Sequence, residues 1–409
     1  MAGILDALTP TTIANYARGA WDGVSFNTWF FSEMKKKGVF AYDVGGDTLS
    51  GPIEAGRYLP QTTAPGQDIS SMFVPKVRHT TWNFSWGEKT NGLSIDRGLL
   101  RRNTGDQALV RLKDTEIPAL FRDLLIAQGG LLSDILTQHG GSYAGPGLPI
   151  YGFPSALLPT GTTTSGAATS AGAAINGFNP QTEASTGAAA AATDLEICAT
   201  THTYGGLSLA PGGITGVDAA QADAWQPVMV NGSSSAWTGA SAVNDEADVI
   251  EVILQHLVDR LSRFGDNDPS LLPDVPLLDK AYYRFLGARK SQRETIFISP
   301  DNRTPANAET GYSPLKGIFH AGLMWRWEAL MPAYSAICGS MNKMKFNVQP
   351  LYKEQDNGSP LRVSGEDAGL METAINFVPE RRGYVVSSTI PGQMVLEPRY
   401  WGCVRRYAF

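Results

Sequence analysis

The chain has 409 residues, 43% of them apolar and 18% charged, enough for a sizeable core and, on average, about two to three domains. No run approaches the roughly 18–20 uncharged apolar residues that span a bilayer, which leaves no membrane segment. Three scattered cysteines, Cys198, Cys338 and Cys403, show no CxxC spacing, which argues against a disulfide framework and for a reducing compartment.

The net charge of −6 is unevenly placed, since no Lys or Arg lies between Arg122 and Arg260 and those 137 residues carry 12 carboxylates. The first 122 residues hold 14 basic against 12 acidic, and the last 150 hold 19 against 15. The chain reads as an acidic middle between two mildly basic ends. A groove that grips nucleic acid clusters its basic residues, and the middle excludes them.

Residues 1–45 read as an N-terminal arm. Leu5, Leu8, Ile13 and Tyr16 suit a short amphipathic segment, and neither a basic n-region nor a small-residue cleavage site marks a secretory signal. Lys35, Lys36 and Lys37 read as solvated charge. Residues 46–90 read as a long hairpin, GGDTLSGPIEAG…FVPKVRHTTWNFSW. Its apex is punctuated by Gly and Pro and is too polar to bury a core of its own. Its closing run Thr80, Trp82, Phe84, Trp86 alternates as a strand with one aromatic face.

From Asn103 the pattern turns helical, with Leu109, Leu112, Leu120 and Leu124 in phase, and it resumes at Leu131, Ile135 and Leu136 after Gly129-Gly130. Pro118 lies inside it, so the helix is expected to bend or split near Thr115–Pro118. Of the 44 residues from 160 to 203, 31 are Ala, Gly, Ser or Thr. They read as an insertion in a surface loop, with Phe178, Leu195, Ile197 and Cys198 offering something to bury. A second helix is expected from Asn244 to Phe264, with the stripe Ile250, Ile253, Leu257, Leu261 and Phe264. Beyond it ETIFISP, KMKFNVQP, ETAINFVP, GYVVSST and QMVLEP read as separate strands divided by turns. Helices and strands mix without βαβ regularity, so the class is α+β.

No catalytic constellation is found. Gly140-Gly141-Ser142-Tyr143-Ala144 misses the nucleophile elbow at its last position, and no phosphate-cradling glycine loop is present. The five histidines, His79, His139, His202, His256 and His320, stand apart at no metal-ligand spacing. Asp266 and Asp268 resemble a calcium loop but lack its glycine and closing Glu, and read as a helix-ending turn. Trp325 and Trp327 have the single basic residue Arg326 between them, short of a basic cluster for base stacking, and read as packing residues. The expectation is no enzyme, no cofactor and no metal.

The order of these pieces resembles the major capsid proteins of tailed bacteriophages (Caudoviricetes), with the Hong Kong 97-type fold. GGDTLSGPIEAG…FVPKVRHTTWNFSW is similar to that family's extended loop, NTGDQALVRLKDTEIPALFRDLL to its spine helix, and LPIYGFPSALL with YGGLSLAPGGITGVDAAQADAWQP to its axial domain. MNKMKFNVQP and ETAINFVPERRGYVVSST resemble its closing strands.

The resemblance implies an arm (1–45), an extended loop (46–90) and a peripheral domain with the spine helix (91–145). It further implies an axial domain (146–339) carrying the insertion 160–203, and returning strands (340–409). It implies self-assembly as pentamers and hexamers into an icosahedral virion shell around double-stranded DNA, built in the host bacterial cytoplasm. The partners it implies are a portal, separate scaffold or decoration proteins, and non-specific contact with packaged DNA. An axial domain free of Lys and Arg would not cling to that DNA, and the insertion is expected to face outward or to a capsomer contact.

A hairpin without its own core then makes sense if a neighbouring subunit covers it. The residues expected to make that contact are Glu54, Arg57, Tyr58, Leu59, Asp68, Ile69 and Phe73. No lysine lies between Lys37 and Lys76, so the shell is expected to be held non-covalently, without the lysine–asparagine cross-links of the family's type member. Only about 45 residues precede the loop, too few for the built-in scaffold that some relatives carry. Two other readings stay open: an encapsulin-like nanocompartment of the same fold, and a glycan-binding surface adhesin.

Overall fold

The computed structural model of the chain describes residues 28–54, 79–96, 116–127, 130–137, 150–157, 195–196, 203–209, 225–231, 246–262, 268–294, 317–331, 335–354, 360–363, 370–378 and 383–405. In chain order the elements begin with helix α1 (Trp29–Lys36) and strands β1 (Phe40–Ala41), β2 (Thr48–Glu54), β3 (His79–Ser85) and β4 (Gly87–Asp96). Helices α2 (Ile117–Leu125), α3 (Leu131–Thr137) and α4 (Phe153–Leu157) follow. Next come β5 (Leu195–Glu196), β6 (Thr203–Tyr204), β7 (Leu207–Ser208), β8 (Val228–Asn231), α5 (Glu246–Ser262), β9 (Val275–Leu278) and α6 (Lys280–Glu294). The chain then runs through β10 (Ile318–His320), β11 (Leu323–Trp327), β12 (Ser335–Gly339), β13 (Met344–Val348) and β14 (Leu351–Glu354). It ends on β15 (Pro360–Val363), β16 (Glu372–Val378), β17 (Gly383–Leu396) and β18 (Trp401–Arg405). These elements form two compact units, each assembled from separated stretches of chain.

The first unit takes 1–49, 85–153 and 344–395. Its five-stranded sheet runs β1-β13-β17-β16, with β4 also paired to β17. GYVVSST and QMVLEP, expected as two strands, are the two ends of β17, which is 14 residues long. Pro391 and Gly392 do not turn the chain because they sit in register opposite Glu88 and Gly87 of β4. The Pro391 carbonyl accepts the Gln349 N–H at 3.1 Å. A Cβ on Gly392 would stand 2.7 Å from the Phe346 ring, so glycine is what lets β13 close on this strand.

Residues 103–115 of the expected long helix lie outside the described residues. Pro118 stands in the first turn of α2, where its missing N–H would have had no helical acceptor. Phe121, Leu124 and Leu125 of α2 are buried, as are Leu131, Leu132, Ile135 and Leu136 of α3. Lys89 on β4 reaches Asp134 of α3 at 2.5 Å. Burial raises the Asp134 carboxyl above its ordinary value even though the Lys89 hydrogen bond and charge pull it down.

The second unit takes 50–84, 154–343 and 396–409. Its seven-stranded sheet is ordered β10-β11-β9-β12-β18-β8-β5. Leu278, Ala336, Val404 and Val230 lie side by side across four strands, and α5 and α6 cover that row with Ile253, Leu257, Leu261, Tyr282 and Leu286. The neighbouring row Leu277, Ile337, Cys403, Met229 is buried as well. Strands covered on both faces carry unbroken apolar runs, which is why VPLL, SAICG and WGCVR give no alternation to read.

Helix α5 buries the expected stripe from Ile250 to Leu261, and Phe264 lies outside the described residues. Helix α6 has no counterpart in the sequence reading, because Lys280, Arg284, Arg289, Lys290 and Arg293 crowd its buried Tyr282, Tyr283 and Leu286. Residues 154–259 of the stretch without Lys or Arg belong to one unit with this basic helix, and Lys290 pairs with Glu251 at 3.6 Å. ETIFISP, beyond the Glu294 that ends α6, lies outside the described residues. At the end of the Ala/Gly/Thr-rich block, β5 pairs with β8 as an edge of the sheet.

Candidate assembly site

Strands β2 and β3 form a two-stranded sheet of their own, and among the described residues neither outer edge has a further strand partner. The expected alternation is present on β3, where Trp82 is half-buried and Phe84 buried while Thr81, Asn83 and Ser85 are exposed. Pro52 is exposed on β2, and a proline there removes one edge donor from unwanted pairing. A Cβ on Gly51 would stand 2.4 Å from the Trp82 indole. The glycine is the bed on which that ring lies across the two strands.

The root of this ribbon is held by aromatic side chains of the second unit. Phe84 meets Tyr204 edge to face at 4.6 Å between ring centroids, and Tyr204 stacks on Trp225 at 6.1 Å. All three rings are buried, and aromatic pairs in such geometry contribute about 0.5–1.5 kcal/mol beyond the area they bury. Tyr204 is tied at both ends. Its carbonyl accepts the Trp225 indole N–H at 2.9 Å, and its hydroxyl accepts the Leu396 N–H at 3.3 Å.

Gly205 and Gly206 follow, both left-handed (φ +60° and +76°), and close the two-residue turn between β6 and β7 that Gly-Gly favours. The Gly205 carbonyl accepts the Asn83 N–H of β3 at 2.9 Å. The signal for this clamp was in the sequence, a Gly-Gly pair between short apolar runs. What it clamps was not, because Phe84, Tyr204 and Trp225 lie far apart along the chain.

Of the residues expected to contact a neighbour, Glu54 ends β2, and Arg57, Tyr58, Leu59, Asp68, Ile69 and Phe73 lie outside the described residues. His320 and His256 are separately engaged. His320 lies with Nε2 at 2.8 Å from the Glu251 carbonyl, and His256 is 3.2 Å from Arg260 Nε. Burial and the nearby Asp274 push the Cys338 thiol far up, which keeps it protonated and inert. Among the described residues no group of three or more His, Cys, Asp or Glu could hold a metal ion, and no helix is long and apolar enough to cross a membrane. Asp268 accepts the Ser270 N–H at 2.9 Å and caps a 3-10 turn at Pro269–Leu271. The geometry is an anchored Tyr204 ring against which a ribbon leans that has no third strand among the described residues.

No protein-family model matches the chain, and no curated protein matches it. Among solved structures, a chain of the cyanophage A-1(L) capsid asymmetric unit matches at TM-score 0.51 and 12% identity, over 91% of this chain and 92% of that one. The capsid of a native GTA particle matches at TM-score 0.41 and 10% identity, over 92% and 90% of the two chains. The mature capsid of bacteriophage PhiM1 matches at 0.42 and 7%, over 90% and 85%. The fold assignment rests on the first of these: nearly end to end, the chain has the fold of that cyanophage capsid chain.

Proposed function

We propose that this chain is the major capsid protein of a tailed phage, a structural protein without enzymatic activity. In this reading it assembles as pentamers and hexamers into an icosahedral shell around double-stranded DNA. The observation that carries the reading is the fold shared over 91% of the chain with the cyanophage capsid chain. The β2–β3 ribbon supports it, because a two-stranded sheet is marginal in water unless something packs on it. A second copy can supply that cover, and a shell sums many such joints.

The expected loop residues, from Glu54 to Phe73, are then the side of the joint that meets the neighbour. The chain acts in the virion capsid after assembly in the host bacterial cytoplasm. Its partners are itself, a portal, separate scaffold or decoration proteins, and packaged DNA held without sequence preference. The joints are non-covalent, because the loop apex offers Arg57, whose guanidinium stays protonated, and no lysine.

Negative-stain microscopy of the expressed protein tests the reading. Closed shells or capsomers are the expected result, and a stable monomer by light scattering at all concentrations, with or without co-expressed phage assembly proteins, overturns it. Boiled particles should run as one band near 43.9 kDa. A ladder that survives reductant would show covalent joints instead.

A further inference from the structure

We infer that the Tyr204–Gly205–Gly206 turn is the positioning device of the extended hairpin. It fixes the direction in which β2–β3 leaves its unit, and so selects which neighbour geometry the chain can join. The inference rests on the assembly function proposed above. Tyr204 is anchored independently of the hairpin, its carbonyl by the Trp225 indole N–H and its hydroxyl by the Leu396 N–H. The hairpin then leans on that anchor twice. The Asn83 N–H donates to the Gly205 carbonyl, which fixes position along the turn. The Phe84 ring packs edge-on against Tyr204, which fixes rotation about the strand.

The two glycines of the turn separate this role from plain turn formation. Both are left-handed, so any other residue meets similar strain at either position. A Cβ on Gly206 meets nothing within 4 Å, whereas one on Gly205 stands 2.7 Å from Phe84 Cζ and 3.2 Å from Trp82 Cβ. Phe84 cannot swing clear, because it is buried between Trp82, at 5.5 Å, and Tyr204, at 4.6 Å. The displacement passes into the hairpin.

Gly205→Ala and Gly206→Ala, made in the full chain, therefore form a matched pair. Gly206→Ala should lower the melting temperature by about 2–4 °C through backbone strain alone, and Gly205→Ala by at least as much. Only Gly205→Ala should change assembly. Shells of wild-type diameter should fall by roughly tenfold or more, since one angular error is repeated at every joint.

Wild-type shells from Gly205→Ala, or equal loss from both single variants, overturns the inference. If the wild-type chain forms no shell at all, the assembly reading fails by itself. Hydrogen exchange then still reads the turn: Gly205→Ala, and not Gly206→Ala, must lose protection at the Asn83 N–H, and equal protection in both overturns the positioning role.

Discussion

The seven-stranded sheet and residues 50–54 and 79–84 of the β2–β3 ribbon belong to one unit and are held in opposite ways. The sheet buries side chains on both faces, with rows such as Leu278–Ala336–Val404–Val230 under α5 and α6. Its geometry is over-determined by many interchangeable contacts. Among the described residues, the directional contacts at the ribbon's root include the Phe84–Tyr204 ring pair and the Asn83–Gly205 backbone hydrogen bond, beside the turn glycines. A region held by area loses stability when a side chain is truncated. A region held by a few directional contacts loses its direction first, and for a joint between subunits direction is what matters.

The largest effect sharpens that contrast. Leu257→Ala opens a cavity between α5 and the sheet, where Leu257 is fully buried, and should cost about 2–5 kcal/mol in denaturant unfolding. Phe84→Ala removes a larger and equally buried ring, yet it should cost less in global unfolding, about 1–2 kcal/mol. The ribbon can open locally while the sheet stays closed. Equal losses from the two variants would show that the root and the sheet melt as one cooperative block, and the contrast would fall.

Next in size is the N-terminus of α6, which lies on the sheet side of the comparison. Asp279 accepts the N–H groups of Ala281 at 3.0 Å and Tyr282 at 2.9 Å from a buried position. Asp279→Ala leaves both donors without that acceptor and should cost about 1–2 kcal/mol, and Asp279→Asn only a fraction of that. Melting curves of the two variants side by side check this. Identical curves would show that the cap adds nothing to a helix already held by Tyr282 and Leu286.

What could be read in advance follows the same division. The aromatic alternation of β3 and the stripe of α5 are periodic signals carried by neighbouring residues, and both stand where the sequence placed them. Helix α6 was illegible because its five basic residues swamp the apolar stripe. The central strands were illegible because burial on both faces removes the alternation that marks a strand. The continuity of β17 through Ile390-Pro391-Gly392 was read as a turn, since only the facing Phe346 and Gln349 show why the chain runs straight on. The clamp on Tyr204 depends on side chains meeting across the fold, which no local window contains.

The smallest expected effect concerns the first unit, where the hydrogen bond and charge of Lys89 oppose the burial of Asp134. The carboxyl sits 2.5 Å from Lys89 Nζ, yet its net shift is upward, burial outweighing the lysine. A carboxyl whose folded value lies above its unfolded value binds its proton more tightly in the folded state. Its contribution to stability is therefore fully present at pH below the ordinary 3.8 and is lost as pH rises through the raised folded value. The stability of the wild type relative to Asp134→Asn should accordingly fall across that window and level off above it, measured as urea midpoints at a series of pH values. In Lys89→Met the opposing charge is gone, so the fall should shift to higher pH. A relative stability that rises with pH through the same window would mean that the ion pair outweighs desolvation. Lys89–Asp134 would then be a net tie between β4 and α3 rather than a charge that the lysine only partly relieves.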